Sequence, residues 1–159
     1  MLKLANLFNW HANSRYSNLN LKPCNFSEAI SANIALGIFI KKISEGKCPI
    51  ILDFDEVKSS NSNSVGVFRT KTGGTSKEPK SVLRTTQSWI SSFEVIKSLQ
   101  KEKEKYLIFG DLTHSLVLYG ALEALYLGHN VHQVKKLRSK SELKATIKFG
   151  PTFVYITPT

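Results

Sequence analysis

Apolar positions along the chain fall at two spacings, and the alternation predicts strands separated by helices. Residues 25–45 carry Ile30, Ile34 and Ile38 with Leu36, Phe39, Ile40 and Ile43, a broad apolar face at helical spacing. Asn25, with Glu28 three positions on, can cap this single helix, and Gly46 can stop it. Residues 49–54 form a short apolar run suited to a buried strand, with Asp53 and Asp55 at its end. Residues 59–64, all serine and asparagine, read as a polar loop too short to separate domains. Paired strands follow, opened by the apolar run at residues 65–68. A helix then starts near Thr85 or Thr86 and turns Trp89, Ile90, Phe93, Ile96 and Leu99 to a core. Its far end, Lys101-Glu102-Lys103-Glu104-Lys105, reads as a solvated face.

The pattern is clearest in the last third. Residues 106–109 are a strand, and Gly110, Asp111, Leu112 and Thr113 its exit loop. Residues 114–127 are a strongly apolar helix ended by Gly128, and residues 130–134 a second strand. Ser139 and Glu142 have the spacing of a capping box, opening a helix that runs to Phe149 and is closed by Gly150 and Pro151. Residues 153–156 are a third strand. Strands and helices alternating at such short intervals imply βαβ crossovers, hence an α/β fold with a parallel sheet and flanking helices. Ligands of such sheets sit beyond the carboxyl ends of the strands, an edge that would collect Asp111, Thr113, His114 and Thr157. The expected organisation is one α/β domain over residues 25–159, preceded by residues 1–24, to which no role can be assigned.

Composition narrows the function classes. The chain has 159 residues, 42% hydrophobic content and a mean hydropathy of −0.15, values of a folded domain rather than a disordered segment. The longest apolar stretch, residues 29–40, is interrupted by Ser31, Asn33 and Gly37, so neither a membrane anchor nor a signal peptide is read and a cytoplasmic location is expected. Cys24 and Cys48 form no Cys-x-x-Cys pair and read as buried or idle thiols. His129 and His132 have no third ligand nearby, so a surface position where a loop enters a strand is expected rather than a metal site. The net charge of +10 favours anionic ligands. Lysine outnumbers arginine and no aromatic platform stands out, so a solvated lysine-rich surface is the reading and nucleic acid ranks last among partners.

The stretch of candidate chemistry is residues 70–80, Thr-Lys-Thr-Gly-Gly-Thr-Ser-Lys-Glu-Pro-Lys. It holds two adjacent glycines, four hydroxyl side chains and three lysines against one acid, Glu78. Hydroxyls and free backbone N–H groups can surround phosphate oxygens, glycine lets the backbone approach closely, and a lysine adds a point charge. The same residue types also make an ordinary solvated turn between a strand and a helix, and composition alone leaves both readings open. The stretch is neither a Walker loop nor a dinucleotide fingerprint.

The order Thr72-Gly73-Gly74-Thr75-Ser76, then Pro79-Lys80 and Val82, resembles the phosphate-binding signature of the adenylate-forming (AMP-binding) superfamily, which includes acyl-CoA synthetases, peptide-synthetase adenylation domains and luciferases. Three positions depart from the usual Thr/Ser-Ser/Gly-Gly-Thr-Thr/Ser-Gly-x-Pro-Lys-Gly-Val: Lys77 stands for glycine or serine, Ser81 for glycine, and Arg69 for an apolar residue. Downstream, residues 110–115, Gly120 through Gly128, and Pro151-Thr152 followed by an apolar run to Pro158 are similar in order to the same family. The resemblance covers roughly residues 25–159, and implies part of the family's N-terminal domain.

What the resemblance implies is ATP-dependent activation of a carboxylic acid as an acyl adenylate, with magnesium. Thr72, Gly73, Gly74, Thr75, Ser76 and Lys80 would hold the ATP phosphates, and His114 would lie beside the acyl pocket; a plain helix-start residue is the other reading of His114. The family's aromatic-Gly-x-Thr-Glu segment, ribose-binding aspartate and catalytic lysine have no counterpart here. The expectation is therefore a truncated or split ligase-like protein that is not catalytic alone, whose sheet leaves an open edge near residues 153–157 for a partner chain or a second copy. A non-catalytic nucleotide- or phosphate-binding module is the alternative, and a basic nucleic-acid-binding protein the third.

Overall fold

The computed structural model describes residues 7–53, 56–73, 78–100 and 102–156. Two short strands come first, β1 (Tyr16–Asn18) and β2 (Leu21–Cys24), followed by helices α1 (Phe26–Ser31) and α2 (Ala35–Ser44). The Asn25 capping box forms, with Asn25 Oδ1 accepting from the Glu28 N–H and Glu28 returning the bond to the Asn25 N–H. The single helix expected over residues 25–45 is, however, two. Asn33 takes a positive φ of 54°, which an asparagine tolerates better than most L residues and a continuing helix does not. The break folds α2 back on α1 so closely that a Cβ on Gly37 would lie 3.0 Å from that of Ala29.

Strand β3 (Lys47–Asp53) pairs antiparallel with β4 (Glu56–Asn61), so Ser59, Ser60 and Asn61, expected in a loop, lie in a strand instead. Their exposure explains the misreading: β4 is polar because almost none of it is buried. Phe54 and Asp55, at the end of the expected strand, lie outside the described residues. A second hairpin joins β5 (Val67–Thr72) to β6 (Lys80–Thr85). Helix α3 (Thr86–Leu99) follows, with Thr85 as its cap. Trp89, Ile90 and Phe93 are buried as expected, but Leu99 is 73% exposed. The charged stretch lies beyond the helix rather than on its far end: residues 102–104 are a loop, and Lys105 opens the next strand. Lys101 lies outside the described residues.

The remaining elements are β7 (Lys105–Phe109), α4 (Ser115–Leu127), β8 (Asn130–Val134), α5 (Lys140–Phe149) and β9 (Phe153–Tyr155). The main sheet has the order β2-β1-β8-β7-β9, parallel throughout except for β2. This is the expected α/β class with its βαβ units. Strand β7 sits inside the sheet, and Tyr106, Leu107 and Ile108 are all buried, as a strand covered on both faces requires. Glu123 of α4 meets Tyr106 on one face, while Phe149 of α5 stacks on His132 on the other, so the two crossovers cover opposite faces.

Residues 7–24 have a structural place that their sequence pattern does not reveal. Tyr16 pairs with Val131 across β1 and β8, and Phe8 and Trp10 are core residues. Phe8, Phe39, Phe68, Trp89 and Phe93 form a continuous aromatic cluster, with Phe68 at its centre. Helix α4 packs against both the sheet and α3, and eight of its thirteen residues are buried. That explains an apolar pattern with no polar side. Both cysteines are buried free thiols.

His129 and His132 are buried rather than at the surface. Each is under 8% exposed. The His129 ring lies parallel to that of Tyr106 and accepts at Nδ1 from the Glu104 N–H, which places its own proton on Nε2 toward Gln100. Burial lowers the pKa of both imidazoles. Ser139 caps α5 as expected, but Glu142 reaches back one residue further than a capping box, to the Arg138 N–H.

Candidate functional site

The loop at residues 70–80 connects two antiparallel strands, not a strand and a helix. Thr72 and Lys80 are cross-strand partners at the last rung of the β5–β6 hairpin, and the Thr72 hydroxyl lies 3.4 Å from the Lys80 carbonyl oxygen. The hairpin thus sets at one end the two residues that flank the glycine-rich tip. Lys80 and Gly73 are exposed and Thr72 half-buried, so all three are accessible to a ligand. Gly74, Thr75 and Ser76 lie outside the described residues.

Long-range pairing brings the next candidate to this hairpin. Lys71 and His114 form an isolated parallel β-bridge, and a Cβ on Gly73 would sit 3.7 Å from His114 Nδ1. His114 is the N-cap of α4 and makes no side-chain cap bond. Four of the expected residues, Thr72, Gly73, Lys80 and His114, therefore share one neighbourhood although more than thirty positions separate the hairpin from His114. Lys71 belongs to it as well, and no local sequence signal marks it out, since the pairing that places it is not local.

The carboxyl edge of the sheet gathers Asp111 and Thr113 with His114, as the topology implies; Thr157 lies outside the described residues. Asp111 Oδ1 accepts from the Thr113 N–H, and its Oδ2 lies 2.6 Å from Lys135 Nζ. Burial works against the Asp111 carboxylate, but the Lys135 ammonium and the Thr113 N–H outweigh it and hold the carboxyl below its usual range. That hydrogen bond raises the Lys135 ammonium in turn. Gln133 fixes the next strand end, accepting from the Tyr16 hydroxyl and donating to the Gly110 carbonyl oxygen. Sequence reading passed over Lys135 and Gln133. The fold brings Lys135 within reach of Asp111, a pairing that no local sequence signal marks.

Among the described residues no group of three His, Cys, Asp or Glu side chains is placed to hold a metal ion, and no helix is long and apolar enough to cross a membrane. The chemistry offered at the hairpin is that of hydroxyl, ammonium and backbone donors.

Comparison with known proteins gives relatives of one kind. No family model matches the chain. It is similar to YhfT of Bacillus subtilis (strain 168), named as an uncharacterized acyl-CoA ligase, at 27% identity over 139 residues, covering 79% of this chain and 29% of the relative. It is similar also to VraA of Staphylococcus aureus (strain COL), named as a long chain fatty acid-CoA ligase, at 33% identity over 93 residues, covering 52% of this chain and 20% of the relative. The chain thus spans less than a third of the length of either relative. Among solved structures, the luciferase-like enzyme of the nonluminescent mealworm Zophobas morio superposes with a TM-score of 0.45 at 14% identity, over 62% of this chain and 24% of that one. A red-emitting luciferase of Phrixothrix hirtus superposes at 0.40 and 21% identity, over 57% and 18%. Superpositions this partial carry no argument of their own. The resemblance to the adenylate-forming superfamily rests on the loop and on the two ligase relatives.

Proposed function

We propose that this chain supplies the phosphate-holding part of an ATP-dependent, acid-activating site of the acyl-CoA ligase kind. The observation that carries the reading is the hairpin: Thr72 and Lys80 face each other across its last rung, with His114 beside Gly73. The Thr72 hydroxyl and the Lys80 ammonium are donors suited to phosphate oxygens, and Thr75 and Ser76 are assigned hydroxyls of the same role from the sequence alone. The donor set fits a polyphosphate. Magnesium, which binds with several waters and through substrate phosphates, would come in with ATP.

In acid activation, charge shifts toward the departing pyrophosphate, so fixed donors there lower the barrier by electrostatic stabilisation and positioning. Lys80 would contribute positive charge at that site. His114, at the start of α4 and next to the hairpin, would border the space where the carboxylic acid meets the nucleotide. The 159 residues by themselves are expected to bind rather than turn over, because the match covers only 29% and 20% of the relatives whose names carry the ligase activity. The same reading gives the open edge of β9 to a partner strand, from another chain or a second copy.

The test is calorimetric titration of the 159-residue chain with magnesium-ATP beside Lys80→Ala. Losing one charge-assisted contact is expected to weaken binding by about tenfold or more. Equal affinity in the two proteins, or no binding by folded protein, would remove the hairpin from the function. ATP–pyrophosphate exchange by the same 159 residues, expected to be absent, would show instead that they turn over alone.

A further inference from the structure

A cavity opens at the carboxyl ends of the neighbouring parallel strands β1 and β8. It has a volume of about 280 Å³ and is lined by the β1–β2 turn (Asn18, Leu19, Asn20), Gln133 and the β8–α5 loop (Lys135, Lys136, Arg138), with Glu142 at the rim. We propose that this cavity is an anion subsite that takes the phosphate or diphosphate end of a small molecule, independently of the hairpin.

The argument is an account of which polar groups remain for a ligand. Gln133 is spent at both ends of its amide, on the Tyr16 hydroxyl and the Gly110 carbonyl oxygen, so it forms a fixed wall. Asn18 Oδ1 accepts from the Asn20 N–H, which leaves the Asn18 NH2 group as the available part of that amide. Glu142 is turned to the Arg138 backbone, where Oε2 accepts from the N–H. Lys135 is paired with Asp111. Lys136 and Arg138 are exposed and make no ion pair among the described residues. One Glu142 oxygen and the Asn20 side-chain amide stay available at the rim, and the donors that remain are an ammonium, a guanidinium and the NH2 groups of Asn18 and Asn20. A guanidinium binds phosphate oxygens in a two-pronged geometry, and the ammonium adds a point charge.

Position and size set the ligand class. The carboxyl end of parallel strands is where such sheets place ligands. A volume of about 280 Å³ falls below the roughly 300–1,000 Å³ of pockets that enclose whole small molecules, so the cavity suits a phosphorylated end rather than an entire nucleotide. The Asp111–Lys135 pair connects this cavity to the edge that carries His114. Two anionic ends, one at each site, could therefore lie along the same edge of the sheet.

The experiment uses the 159-residue chain carrying Lys80→Ala, so that the hairpin cannot account for the result. Inorganic pyrophosphate is titrated without magnesium and followed by backbone amide NMR. Saturable shifts are expected at residues 18–20 and 135–139, and adding Lys136→Ala with Arg138→Ala should raise the Kd by about tenfold or more. A parallel variant, Lys144→Ala with Lys148→Ala, removes equal charge from α5 away from the cavity and should change the Kd less than threefold. Equal weakening by both pairs would mean diffuse attraction and would overturn the proposal. So would shifts that avoid the cavity, or a single-stranded oligonucleotide that outcompetes pyrophosphate with losses shared by all four positions. Because Lys80 is already absent, failure here leaves the ATP titration above untouched.

Discussion

Glu123 is the charged side chain most completely removed from solvent in the described structure, at 0% exposure. It accepts hydrogen bonds from the hydroxyls of Tyr106 and Tyr155, and Tyr106 in turn accepts from Gln100, whose carbonyl oxygen meets His129. A directed chain of bonds therefore runs from the Glu104 N–H through His129, Gln100 and Tyr106 to Glu123. Burial raises the Glu123 carboxyl, although the tyrosine hydroxyls pull it back. Burial, followed by the Glu123 charge, pushes both tyrosines upward. With the native pKa of Glu123 above the unfolded one, the stability it contributes is fully present below the ordinary glutamate range and is lost as pH rises through the raised native value. His129 and His132 act in the opposite sense: their depressed values favour the native state above the ordinary imidazole range, and that contribution is lost as pH falls through them. Glu123→Gln keeps an acceptor for both tyrosines and removes the charge. It should raise the thermal midpoint at neutral pH and remove the part of the stability loss that sets in as pH rises above the ordinary glutamate range, leaving the contribution of the histidines in place. Glu123→Leu should be less stable than Glu123→Gln by about 1–3 kcal/mol for each hydroxyl left without an acceptor. Denaturant titrations from acid to neutral pH would check both, and a profile in Glu123→Gln unchanged above the ordinary glutamate range would mean that the carboxyl carries no titrating charge there.

Elements are joined at places where one atom more would not fit. A Cβ on Gly120 of α4 would lie 2.8 Å from the Tyr155 ring, so α4 and β9 are packed at the closest approach that glycine allows. Gly120→Ala is expected to destabilise the fold by about 1–3 kcal/mol, because the ring is held in place by Glu123 and cannot simply turn away. Urea denaturation measures this, and a loss below a few tenths of a kcal/mol would show that β9 can shift at little cost. The start of α1 is held by local bonds instead. Asn25→Ala removes one half of a reciprocal cap and should cost about 1 kcal/mol, whereas Asn25→Ser should cost little, since serine caps nearly as well. Equal losses from the two substitutions would indicate that packing, rather than the cap, fixes the helix start.

At the scale of the whole molecule, the main sheet ends on β2 at one edge and on β9 at the other. Among the described residues β9 pairs only with β7, and Val154 within it and Ile156 just after it are 46% and 65% exposed. Unpaired strand edges with apolar side chains tend to recruit another strand. If β9 takes a second copy, the mass measured by light scattering should rise with concentration, and Val154→Glu with Ile156→Glu should hold it at the monomer value. Glutamate is the better choice because added lysine would increase a net charge of +10 that already opposes association. A monomer at every concentration would leave the edge to a different chain or to none.

The division between what the sequence carried and what the fold added follows from the range of the interactions. The Asn25 and Ser139 caps, the glycine stops at Gly46, Gly128 and Gly150, and the helix–strand alternation of the last third all depend on residues within a turn of one another, so they are written in adjacent positions. The glycine-rich loop was legible for the same reason, as a run of donors. The break at Asn33 was not, because its apolar spacing continues unbroken and only the packing of Gly37 on Ala29 favours two helices over one. The polar strand β4 carries no alternation, because almost none of it is buried. Residues 7–24 gave no pattern because strand β1 is three residues long, and its neighbour β8 lies more than a hundred positions away. The sequence by itself determined the α/β class, the helix ends and the chemical character of the hairpin tip. Only the tertiary structure decided that the tip belongs to a hairpin, that His114 meets it, and that His129 and His132 are buried. Those outcomes depend on contacts between distant segments, which form only when the rest of the chain has closed around them.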